Sequence, residues 1–185
     1  KYDKHGTNIY YKRYSNNVQN QGHEDTMDGL KVYSDGSFML ANKSGMGQAS
    51  AVKVNTSGSV LWKKRYGTDN SYGIQGNVMA IAIDSSDNCM FVGYGADYNS
   101  GSISLWQLNS SGSLVNDWAV AVTSTGNHGT EFSRAKYDSS GNLYIIGWRG
   151  MGSGTSNDKD GYIMKLNSSM VIQWQHTLGN SGYYP

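Results

Sequence analysis

The feature that most constrains this chain is an internal repeat. Four segments share one pattern: Lys1-Tyr2-Asp3 with Gly6 and Tyr10, Lys53-Val54-Asn55 with Gly58 and Trp62, Gln107-Leu108-Asn109 with Gly112 and Trp118, and Lys165-Leu166-Asn167 with Met170 and Trp174. A recurring unit of this kind builds an array in which each piece buries its apolar faces against its neighbours. In three copies the aromatic residue stands four positions beyond the Gly site, and in the third copy six, which predicts a two-residue insertion at Asn116 and Asp117. Met170 replaces the turn glycine in the last copy, weakening that turn's match while keeping the frame.

A second pattern precedes each full copy. It runs from Leu30 to Leu40, from Ile81 to Gly93 and from Ala135 to Gly147. In each, Asp35-Gly36, Asp87-Asn88 or Gly141-Asn142 separates two β-rich runs, and residues that tolerate positive φ between such runs signal a hairpin. Joining the two patterns gives a unit of four short strands, a to d. The units span 28–67, 78–122 and 132–179, with 1–14 as the outer strands c and d of a preceding unit and 180–185 as the start of the next connection.

Trp62, Trp118 and Trp174 are evenly spaced, by about one propeller blade. Strand a is apolar on both faces, as a strand near a hub should be. Strand d carries Lys63, Lys64 and Arg65, or Gln173, Gln175 and His176, as a solvated edge should. The predicted fold is therefore all-β: a β-propeller of four-stranded antiparallel blades, about three and a half of them in this chain. Closed propellers have roughly 4–8 whole blades, so further blades are expected from more of the same chain or from other copies of it.

Composition narrows the function. The 24 Gly, 14 Tyr, 5 Trp and single Pro fit many turns and aromatic strands. The formal charge of +1 provides no field to recruit nucleic acid or an anionic membrane. The longest apolar run, Val78 to Ile83, is far below the ~20 residues of a membrane-spanning helix, so no membrane insertion is expected. Cys89, the one cysteine, excludes an intrachain disulfide.

The stretches Gly141-Asn142-Leu143-Tyr144-Ile145-Ile146-Gly147, Gly161-Tyr162-Ile163-Met164-Lys165-Leu166-Asn167 and Ile172-Gln173-Trp174-Gln175 resemble the propeller repeats of bacterial secreted surface proteins, often called SBBP repeats. They are more similar still to related repeats in tail fibres and other virion proteins of tailed phages. The resemblance covers nearly the whole chain and implies a structural role that specifies no ligand. It points to a virion location, with the cell surface or extracellular space as the alternative, and to other virion or surface proteins as partners.

The a–b and c–d connections are short and uniform, whereas the b–c and d–a connections vary: residues 15–27, 42–50, 67–77, 94–103, 123–131 and 148–160. Variable loops on a rigid scaffold carry function, so their face is the candidate. Tyr94 and Trp148 occupy equivalent places at the base of these loops and, with Tyr98, could stack on sugar rings. Tyr10, Trp62, Trp118 and Trp174 recur once per unit and are expected to pack between blades.

No catalytic residue, cofactor or metal is expected. His5, His23, His128 and His176 fall at unrelated positions without metal-ligand spacing, and His23, Glu24, Asp25 and Asp28 form a solvated cluster. Asp158 and Asp160 before Gly161 are the calcium candidates, but Asn167 stands where a bidentate Glu would be needed. Lys12 and Arg13 with Lys63, Lys64 and Arg65 read as edge charges, and Asn-x-Ser/Thr at Asn55, Asn109 and Asn167 reads as turn chemistry. A glycan-cleaving reading would need a carboxylate pair from Asp97, Glu131 and Asp158. The expectation is a non-enzymatic structural segment of a phage tail fibre or spike that contacts host glycans, with a secreted or cell-surface adhesion propeller as the alternative.

Overall fold

All but one of the described tight turns open on an Asp or Asn, and the computed structural model shows what that residue does. The structure describes residues 4–5, 26–43, 49–66, 78–94, 102–121, 130–150 and 159–179. Asn109 Oδ1 accepts from the Ser111 and Ser113 amides at 3.1 and 2.9 Å, Asn55 Oδ1 from those of Ser57 and Ser59 at 3.1 and 2.8 Å, and Asn167 Oδ1 from those of Ser169 and Val171 at 3.0 Å each. Asp84 and Asp138 perform the same service in two further hairpins, for Ser86 with Asn88 and for Ser140 with Asn142, whereas Tyr33 opens the first turn and Asp35 within it accepts from the Ser37 amide at 2.8 Å. Each side chain mimics the backbone acceptor that a tight reversal lacks, and this accounts for the Asn-x-Ser/Thr triplets at three equivalent turns.

The turns join strands β1 Thr26–Val32, β2 Phe38–Lys43, β3 Ala49–Val54, β4 Val60–Tyr66, β5 Val78–Ile83, β6 Cys89–Tyr94, β7 Ser102–Leu108, β8 Leu114–Ala121, β9 Thr130–Tyr137, β10 Leu143–Gly150, β11 Lys159–Leu166 and β12 Ile172–Leu178. They form three four-stranded antiparallel sheets in simple meander order, β1–β4, β5–β8 and β9–β12. The described residues contain no helix. β5 lies against both β1 and β9, so the sheets stack through their first strands. The arrangement is all-β and consistent with partial propeller blades.

Side-chain alternation sends successive residues to opposite faces. From β6, Cys89 and Phe91 enter the core shared with the first sheet, beside Tyr33, Met39, Ala41 and Ala51. Met90 and Val92 enter the core shared with the third sheet, beside Phe132, Leu143, Ile145 and Met164. Burying each large side chain contributes roughly 1.5–3 kcal/mol. The apolar character expected of strand a holds fully only where both faces are covered: Ala80, Ile81 and Ala82 of β5 are buried, whereas Leu30 and Val32 of β1 are 58% and 60% exposed.

Register corrects one expectation from the sequence. Lys53 pairs with Trp62 and Lys165 with Trp174, but Gln107 pairs with Asn116, and Trp118 stands opposite Leu105. All three units skip one residue at the same place, Leu61, Val115 or Gln173, just after the c–d turn. No two-residue insertion exists at Asn116 and Asp117. Turn and bulge set the register, and Asn116 holds the position of Trp62 and Trp174; Trp118 lies two residues further along the same strand face and packs on the second core.

Met170 takes the glycine's place at φ 59° and keeps the turn's two backbone hydrogen bonds, Asn167 N to Val171 O and Met170 N to Asn167 O. The left-handed conformation costs about 1–2 kcal/mol for an L side chain. Burial of the side chain, 6% exposed in the core between the second and third sheets, offsets it.

Two outcomes follow. Gly141→Ala, at φ 78° with only Ser168 Cβ 3.9 Å from the added methyl, should cost about 1–2 kcal/mol in urea unfolding. Gly112→Ala should cost clearly more, because its Cβ would lie 2.9–3.0 Å from three Trp62 ring atoms; equal costs would contradict that packing. Acid should also destabilise the fold. Hydrogen bonds from Asn142 hold Asp138 below the usual carboxylate range, and those from Ser37 do the same for Asp35. A carboxyl lowered in the folded state stabilises above its unfolded value of about 3.9, and the contribution disappears as pH falls through the lower folded value. Melting temperatures should therefore drop below about pH 4, and Asp138→Asn, which keeps an acceptor oxygen, should make that drop smaller.

Candidate functional site

Two places gather chemistry-bearing side chains: the joint between the first two sheets, and the strand ends that lead into the variable connections. The joint is built from the end of β3 and the start of β4. Trp62 Nε1 and Lys53 Nζ both donate to the Ser110 carbonyl in the c–d turn of the next sheet, at 3.1 and 3.3 Å. Tyr66 donates its hydroxyl to the Gly112 carbonyl of the same turn at 2.8 Å, and its ring meets Phe91 edge-on at 5.8 Å. Gly112 is without a side chain because the Trp62 ring lies on it.

Lys53 is only 6% exposed. A buried ammonium needs partners, and Lys53 has the Ser110 carbonyl and the face of Tyr33, whose ring centroid is 3.8 Å from Nζ. The a–b turns of the same two sheets are also tied, the Ser34 amide to Asp87 Oδ1 at 3.1 Å and the Ser34 hydroxyl to Asp87 Oδ2. Sequence reading missed Lys53 and Ser110 in these roles. The available signal was a Lys three residues before the c–d turn's second position, paired with a Trp beyond it, in two of the three complete units.

Burial explains the perturbed groups. Desolvation pushes the phenols of Tyr33, Tyr66 and Tyr137 well above their ordinary range, so each stays a neutral hydrogen-bonding group at physiological pH. Complete burial does the same to the Cys89 thiol, which keeps it from the thiolate form that reacts.

On the opposite side, Tyr94 ends β6 opposite Ile103, and Trp148 stands at the equivalent register of β10 opposite Gly161 and Glu131. Trp148 is half-buried and already has a partner. Tyr98 lies outside the described residues, as do Tyr10, Lys12, Arg13, His23, Asp97, His128 and Asp158. Asp160 sits in β11 opposite Arg149, close enough to the end of β12 that a Cβ on Gly179 would collide with its carboxylate. Among the described residues no group of three His, Cys, Asp or Glu could hold a metal ion. Lys63 is exposed on β4, Lys64 lies 6.0 Å from the Trp62 ring, and His176 lies 5.3 Å from the Trp174 ring.

A cleft of about 370 Å³ opens where the first strands of the three sheets meet, lined by Gly29, Lys31, Ala80, Ile81, Ser133 and Arg134. Gly29, Ala80 and Arg134 are register equivalents, opposite Ala41, Val92 and Ile146.

The class these features define is an all-β repeat protein of stacked four-stranded sheets. No family model matches the sequence, and no curated protein does. Among solved structures it is similar to a protein of unknown function from Bacteroides caccae, at 11% identity and a TM-score of 0.49, over 94% of this chain and 72% of that one. It is also similar to a member of the DUF4221 family from Bacteroides vulgatus, at 10% identity and a TM-score of 0.47, over 80% of this chain and 51% of that one. The chain thus spans about half the length of the second protein.

The joint makes a graded prediction. Trp62→Phe, which removes the donor to Ser110 and keeps a ring, should cost about 0.5–1.5 kcal/mol in urea unfolding. Trp62→Ala should cost roughly 2–4 kcal/mol. Wild-type stability in the alanine variant would contradict the joint.

Proposed function

We propose that this chain is a non-enzymatic β-propeller segment of a virion appendage, a tail fibre or spike, whose variable face contacts host-surface glycans. The observation that carries the reading is the asymmetry of the stack. The short turns on one side are tied across the first joint, turn to turn through Ser34 with Asp87 and turn to strand through Ser110 with Trp62 and Lys53. The long connections leave the opposite strand ends, where Tyr94 and Trp148 stand at equivalent register. A rigid scaffold presenting variable loops suits recognition. Aromatic residues at the base of those loops offer the apolar faces that sugar rings stack on. The virion assignment is supported by the resemblance of the repeats to those of tail-fibre proteins.

The test is a glycan array with wild-type protein, followed by titration of any ligand found against Tyr94→Ala, Tyr98→Ala and Trp148→Ala. Binding is expected, weakened about tenfold in at least one variant, equivalent to about 1.4 kcal/mol. Failure to bind any glycan, or shortening of a bound glycan by the protein alone, would overturn the reading. Detection of the chain in purified cell envelopes and not in particles would move it to a cell-surface adhesion role.

A further inference from the structure

All three first strands skip one residue in their pairing with the second strands, and they skip it at the same place. The skipped residues are Asp28 of β1, Met79 of β5 and Ser133 of β9. A bulge of this kind interrupts the alternation of a strand and re-aims the side chains beside it. The residue after it holds one register position in each sheet: Gly29, Ala80 and Arg134. Two of these have little or no side chain, and the third is an arginine. Gly29 lets β1 close on β5, since a Cβ there would lie 2.7 Å from Ile81 Cγ1. The cleft of about 370 Å³ opens beside that contact and is bounded on the third sheet by Ser133 and Arg134.

The charge of the lining has one sign. Lys31 and Arg134 line the cleft, and among the described residues no Asp or Glu does. Neither cation has an ion-pair partner among the described residues. Arg134 Nη1 donates to the Ser133 carbonyl at 2.6 Å. That bond fixes the guanidinium and leaves its Nε–Nη2 edge to offer two parallel hydrogen bonds to a carboxylate or phosphate. The Ser133 hydroxyl donates its own proton to the Ile146 carbonyl at 3.4 Å, so charge recognition falls to the two cations. Ala80 and Ile81, both buried, supply an apolar wall. Ligand sites span roughly 300–1,000 Å³, and this cleft stands at the small end of that range.

We propose that the cleft binds a small organic anion about the size of one sugar ring, its carboxylate or phosphate held by Arg134 and Lys31 and its apolar side laid on Ala80 and Ile81. The site is built on the first strands and uses neither Tyr94 nor Trp148, so it goes beyond the loop-face reading and is tested apart from it.

Calorimetric titration of the full chain with glucuronate, glucose 6-phosphate and glucose, which differ in charge on a common ring, is the experiment. At low salt at least one of the two anions should bind with a Kd of ~1 mM or tighter, about tenfold tighter than glucose. Added salt should weaken that binding, and the preferred anion tells carboxylate from phosphate. Arg134→Gln and Lys31→Gln should each weaken it about tenfold and keep the wild-type melting curve, because neither side chain carries an ion pair in the fold. Asp28→Asn, at the equivalent bulge of β1, removes a negative charge and should not weaken it. Binding of neither anion, equal binding of glucose, wild-type affinity in both charge variants, or loss of binding in a folded Asp28→Asn variant would overturn the inference. Anion binding that persists in Tyr94→Ala and Trp148→Ala, in a chain that binds no glycan on an array, would leave this inference standing without the proposed function.

Discussion

A four-stranded sheet with two apolar faces cannot be stable by itself in water, and the rest of this structure follows from that constraint. Burial has to come from neighbouring sheets on both sides, as it does for Met90 and Phe91, adjacent residues of β6 that enter different cores. The middle sheet meets the requirement fully. The outer two meet it less completely: on the first sheet Leu30 and Val32 stay exposed beside buried Leu40, Val52 and Val54, and on the third Ile146 and Leu178 stay exposed. Stacking is thus a condition of folding for such a unit, as in other linear repeat proteins.

Apolar contact alone does not choose an angle or a register between sheets, because hydrophobic burial is non-directional. The polar bonds of the joint supply direction. Trp62, Lys53 and Tyr66 end on two carbonyls of one turn, and that turn is itself held in shape by Asn109. Asn109 therefore serves two levels of structure, closing its own hairpin and positioning the carbonyls that the preceding sheet grips. The short turn at 109–113 is constrained by this double role, whereas the connections on the opposite side vary in length.

Much of the fold was legible because turn chemistry is local. Asp-Gly, Asp-Asn and Gly-Asn marked hairpins correctly, since the residues that satisfy a tight reversal stand within it, and the all-β class followed from them. Trp118 misled for the opposite reason: a large aromatic drew attention as the marker of register, while the skipped residue after the turn, Val115, was the feature that set it. Lys53 was legible only as the first residue of a repeated segment, because nothing in one sequence reveals that Tyr33, twenty residues away, will lie beneath its ammonium. The candidate loop aromatics were legible as positions, with Tyr94 and Trp148 at equivalent strand ends. What they bind depends on loop shape, which local patterns do not encode.

Amide hydrogen exchange read by mass spectrometry tests the stacking most directly, because protection tracks how completely each element is buried. β5, β6 and β7, covered on both faces, should exchange slowest, with β1 and β9–β12 opening at lower free energy. Exchange of the middle sheet as fast as that of the outer two would contradict the account, since coverage on both faces would then add no protection.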